Sequence, residues 1–64
     1  MSRLREPASF PPGTRVQFST EGRELLKPHI DLNGKVLRTE AGLIVVRERG
    51  GTVAEYHPDF LERR

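Results

Sequence analysis

Short stretches of two-residue periodicity alternate along this chain with clusters of turn formers. Thr14-Arg15-Val16-Gln17-Phe18-Ser19 alternates polar and apolar, the period of a half-buried strand with Val16 and Phe18 inward. Asn33-Gly34 is a turn, and Lys35 to Thr39 predicts a second strand. Ala41-Gly42 turns into Leu43 to Glu48, the strongest strand signal because it is rich in β-branched residues. Gly50-Gly51 predicts a two-residue hairpin turn with positive φ at both central positions, leading into a fourth strand over Thr52 to Tyr56. Pro58-Asp59-Phe60 predicts a single 3-10 turn, and Leu61-Glu62-Arg63 a short closing strand.

Two stretches break this rhythm. Residues 1–12 read as a flexible tail, since Pro7, Pro11 and Pro12 block regular hydrogen bonding and Phe10 alone could pin it to the domain. Residues 13–64 are then the folded domain. Thr20 to Ile30 reads as a long loop with one helical turn, capped by Ser19 or Thr20 and ended by Pro28. The expected core is Val16, Phe18, Val36, Ile44, Val46, Tyr56 and Leu61. Leu25, Leu26, Ile30 and Leu32 are surplus to it; they are expected to cap one end of the core, the other reading being an exposed apolar patch for a partner.

An all-β chain of five short strands, with a long first loop and a 3-10 turn before the last strand, resembles the SH3-like small barrel of KOW and Tudor-like modules. The residues that carry the resemblance are Gly13-Thr14-Arg15-Val16, Asn33-Gly34-Lys35-Val36, Ile44-Val45-Val46-Arg47 and Tyr56-His57-Pro58-Asp59-Phe60-Leu61. The resemblance implies a closed five-stranded barrel, which hides sheet edges that would otherwise invite aggregation. Asn33-Gly34-Lys35-Val36 is similar to the glycine-plus-hydrophobic core of a KOW motif, without the second glycine typical before the valine. That motif occurs in ribosomal proteins and transcription elongation factors. Val53-Ala54-Glu55-Tyr56 with Leu61-Glu62-Arg63 also resembles the plasmid-borne type II dihydrofolate reductases, short SH3-like chains that act as tetramers. Ala54 stands where that family has its cofactor-contacting glutamine, Glu55 replaces its isoleucine, and its lysine has no counterpart beside Val16-Gln17-Phe18. These departures fall on functional positions, so the likeness concerns fold and not activity.

Composition narrows the function classes. A chain of 64 residues holds one small domain, too short for a dinucleotide-binding fold. It has no cysteine, so disulfides and Cys-ligated zinc are excluded. The longest apolar run is Leu43-Ile44-Val45-Val46, too short for a membrane span. No apolar segment follows the charged residues at the start, so a cytoplasmic protein is expected. Eleven basic against nine acidic residues leave a net charge of +2, and nine of the basic residues are arginine, the side chain best suited to phosphate.

Candidate chemistry is sparse. His29-Ile30-Asp31 and His57-Pro58-Asp59 have a spacing compatible with a shared metal site, but Pro58 in the 3-10 turn spoils the extended geometry, and turn capping by His57 and Asp59 is the simpler reading. Ser19, the one serine inside the folded domain, has no histidine near it in sequence. The chain is therefore read as non-catalytic, with no cofactor and no metal. The first expectation is a binding module for RNA, DNA or a nucleoprotein complex, with Arg15, Arg38, Arg47 and Arg49 touching phosphates. Arg15 and Arg47 should point outward, whereas Arg38 is in phase with Val36, which leaves its direction open. Glu40, Glu48 and Glu55 would dilute the field, and cross-strand ion pairs of Arg47 or Arg49 with Glu55 would make this a neutral solvated face. The alternative is a protein-interaction, assembly or self-association module of the accessory or phage type, with Leu25, Leu26, Ile30, Tyr56 and Phe60 as contact surface.

Overall fold

The computed structural model describes residues 10–64. Most of the expected N-terminal tail therefore lies outside the described residues. Five strands, β1 (Arg15–Phe18), β2 (Gly34–Glu40), β3 (Leu43–Glu48), β4 (Val53–Tyr56) and β5 (Leu61–Arg63), form one antiparallel sheet in the order β4-β3-β2-β1-β5. Helix α1 (Thr20–Leu26) lies between β1 and β2, and a 3-10 turn (Pro58–Phe60) precedes β5. The ladder joins each strand to its neighbours in that order and leaves β4 and β5 as its two edges.

Alternation builds the core. Val16, Phe18, Val36, Ile44, Val46 and Leu61 are buried in one cluster, with Tyr56 packed against it. Phe10 and Leu32 join them, so the segment before the first strand contributes its one aromatic to the interior. At the centre of β3, Val45 is buried as well, on the opposite side of the strand from that cluster. The sheet is strongly curved. Between Val36 and Arg38 the β2–β3 register shifts, a bulge at Leu37 that bends the strand.

Helix α1 is short but well terminated. Ser19 is its N-cap, accepting from the Gly22 N–H at 3.1 Å, and Lys27 ends it in the left-handed region at φ 49°. The helix sits tight on the 3-10 turn. The Ser19 N–H donates to the Phe60 carbonyl at 2.8 Å, and its hydroxyl donates to the Asp59 carbonyl at 2.7 Å. Gly22 makes that approach possible, since a Cβ there would lie 2.5 Å from the Phe60 carbonyl oxygen.

Two expectations are corrected. The Glu48 N–H donates to the Thr52 carbonyl at 2.7 Å just beyond the strand bounds, so three residues, Arg49-Gly50-Gly51, make the turn, and only Gly51 of them has positive φ. Its N–H returns to the Glu48 carbonyl at 2.8 Å, a turn closed by a glycine at φ 98°. Of the four surplus apolar residues, Leu32 alone enters the core. Leu25, Leu26 and Ile30 are 66%, 44% and 81% exposed, because α1 turns its small residue, Gly22, to the domain and its leucines to solvent. No helix among the described residues is long and apolar enough to cross a membrane.

Candidate functional site

Register, more than sequence spacing, assembles the basic residues. On β1, Arg15 lies directly opposite Lys35 of β2, and Lys35 lies directly opposite Arg47 of β3. All three flank buried positions in the alternation and are exposed on the outer face. Neighbouring strands are about 4.8 Å apart, so the backbone positions of the three cations stand abreast within about 10 Å. Arg49 extends the group from the hairpin, where its N–H donates to the Asn33 carbonyl at 3.0 Å and ties the hairpin to the start of β2. Past Arg15 the Arg64 N–H donates to the Arg15 carbonyl at 3.0 Å, while the Arg64 guanidinium turns to Gln17.

Together Arg15, Lys35, Arg47 and Arg49, with Asn33 and Leu37, line a shallow groove of about 520 Å³. Like charges directly opposite one another in an antiparallel pair destabilise it. Among the described residues no carboxylate forms an ion pair with any of the four. The one carboxylate in the groove wall, Glu48, accepts a hydrogen bond from the Tyr56 hydroxyl at 2.9 Å. Burial, together with that bond and charge, pushes the Tyr56 phenol up to about 12.

The other candidates fall elsewhere. The bulge at Leu37 resolves the direction of Arg38: it pairs across from Val45 and so shares the outer face. Its guanidinium is held by Glu40 at 3.1 Å, and it lies outside the groove. Glu55 lies opposite Val45, and its expected ion pair with Arg47 or Arg49 does not form among the described residues. Tyr56 stacks edge to face on Phe18, and Phe60 sits beside His57 in the 3-10 turn with ring centroids 5.9 Å apart. Leu25, Leu26 and Ile30 are exposed on α1 and in the loop after it.

Of the histidine–aspartate pairs, His57, Asp59 and Asp31 have structural partners, and His29 is exposed. His57 caps the 3-10 turn, its Nδ1 accepting from the Asp59 N–H at 3.1 Å. Asp31 staples the long loop to β1. Its Oδ1 accepts from the N–H groups of Phe18 (3.1 Å) and Leu32 (2.8 Å), and its Oδ2 pairs with Arg23 at 3.0 Å. Desolvation opposes the charge, but the Arg23 contact and the two backbone donors outweigh it and hold the carboxyl below its usual range. Among the described residues no three His, Cys, Asp or Glu side chains gather as a metal site.

Lys35 is the functional candidate that arginine-based reasoning overlooked. The available signal was its position flanking Val36, in phase with Arg15 and Arg47 once the strands pair. Compared with known proteins, the chain matches no family model, no curated protein and no solved structure.

Proposed function

We propose that this chain is a non-catalytic SH3-like barrel module that binds nucleic acid through its phosphate backbone. Strand order, the long first loop and the 3-10 turn before the last strand support the fold reading. One observation carries the functional reading: Arg15, Lys35 and Arg47 face one another across three adjacent strands, unpaired among the described residues. A row of like charges costs stability, and an anionic polymer removes that cost by lying across it. The contacts are charge-assisted and read little sequence, because arginine and lysine bind phosphate on any base.

A gel-shift series over mixed RNA and DNA at two salt concentrations tests this reading. Binding at low salt that weakens at high salt and falls in Arg47→Ala and Arg49→Ala supports it. No shift at low salt, or a shift that both variants keep, rejects it. The exposed Leu25 and Ile30, at 66% and 81%, favour a second reading as a protein-interaction module, in which Leu25→Ser abolishes partner capture and leaves the gel shift intact.

A further inference from the structure

We infer that the basic groove takes double-stranded rather than single-stranded nucleic acid, an inference that rests on the nucleic-acid reading above. Proteins that hold single strands combine a basic track with aromatic faces on which bases stack. This groove has the track without the faces: none of the residues lining it is aromatic.

The phenylalanine and tyrosine rings of the described residues are committed elsewhere. Phe10 and Phe18 are buried, at 8% and 6% exposure. Tyr56 is locked edge to face on Phe18 with its hydroxyl on Glu48. Phe60 and His57 belong to the 3-10 turn, on the side where α1 docks, and neither lines the groove. A second groove of about 490 Å³ adjoins the first through Asn33, Glu48 and Arg49, and Phe18 and Tyr56 do line it. It carries Asp31 and Glu48 beside Arg49 and Arg64, so its charges balance, whereas the first groove sets four cations against the single carboxylate of Glu48.

The row is also built as a rigid template. Arg15, Lys35 and Arg47 stand on hydrogen-bonded strands of one sheet, on its outer, convex face. A duplex presents its phosphates outward with its bases already stacked, so it needs cations and no stacking partner. A single strand loses base stacking on binding and recovers none here. The ligand chemistry is thus the phosphate backbone of a double helix, whether DNA or RNA.

The test is fluorescence anisotropy of the full chain with three labelled probes of mixed sequence, each about 15 nucleotides or base pairs long: duplex DNA, duplex RNA and single-stranded DNA. The expected result is that at least one duplex binds about fivefold or more tightly than the single strand at low salt. Lys35→Ala and Arg47→Ala should weaken duplex binding while circular dichroism stays unchanged. Binding of one duplex alone supports the inference and names the source of the phosphates. A single strand that binds as tightly as both duplexes, or more tightly, overturns the inference and leaves the nucleic-acid reading standing. No binding to any probe overturns both.

Discussion

Phe18 and Tyr56 meet edge to face, with ring centroids 5.4 Å apart and ring planes at 82°. Their strands, β1 and β4, are three places apart in the sheet order. In a flat sheet that separation would be about 14 Å. The contact therefore reports how far the sheet curls over its core, and the same curl puts the basic row on the convex side. Phe18→Ala should cost about 3–5 kcal/mol, comparable with the whole stability of a domain this small. Urea denaturation checks it: a loss below about 1 kcal/mol would mean that the rings do not join β1 to β4 across the curl.

The Tyr56–Glu48 pair predicts an alkaline transition. The folded phenol titrates at about 12, against about 10 for an unfolded chain. Above pH 10 the unfolded state releases its proton first, so stability is complete below about pH 10 and declines as pH rises toward 12. Tyr56 is the only tyrosine and there is no tryptophan, so phenolate absorbance follows this group alone. Glu48→Gln should bring the folded midpoint down toward 10. An unchanged midpoint in that variant would show that burial alone sets it.

Asp31 predicts the acid side. Its carboxyl is held below the ordinary range, so its contribution is present above the unfolded value near 4 and is lost as pH falls through the folded value. Asp31→Asn should lower the melting temperature at pH 7, since Arg23 loses its ion pair and the Phe18 and Leu32 N–H groups lose a charged acceptor. The difference between variant and parent should shrink on acidification. A constant difference down to about pH 2 would contradict the assignment.

Two small substitutions separate packing from propensity. In an open helix Gly→Ala is favourable by about 1 kcal/mol. At Gly22 the sign should reverse, to a loss of about 1–3 kcal/mol, because the new Cβ meets the Phe60 carbonyl. Ala41 is the opposite case. It has φ 53° beside Gly42 at φ 81°, in a two-residue turn that suits Asn-Gly. Ala41→Asn should stabilise by about 0.5–1 kcal/mol, or roughly 4 °C in melting temperature. Thermal melts of both variants check the pair, and a stabilised Gly22→Ala would refute the docking of α1 on the 3-10 turn.

Much of the fold is legible from periodicity. Leu43 to Glu48 announces its strand through β-branched residues, and Pro58-Asp59-Phe60 announces its turn through proline. Gly50-Gly51 is ambiguous because paired glycines suit a two-residue turn and a three-residue loop equally, and the strand register decides between them. Arg38 is unreadable for a related reason: the bulge at Leu37 changes the phase of everything after it. The basic row is a property of pairing, so Lys35 joins Arg15 and Arg47 only when the ladders are known. Leu25, Leu26 and Ile30 look like core material by type, yet Gly22 is the face that α1 buries.

The most direct test of the central claim is the salt dependence of duplex binding in the parent chain and in Lys35→Ala. Four cations engaging phosphates predict a slope of about −3.6 in log K against log salt, and losing Lys35 should reduce it by about 0.9. A slope that Lys35→Ala leaves unchanged would contradict the account, because the residue at the centre of the row would then touch no phosphate.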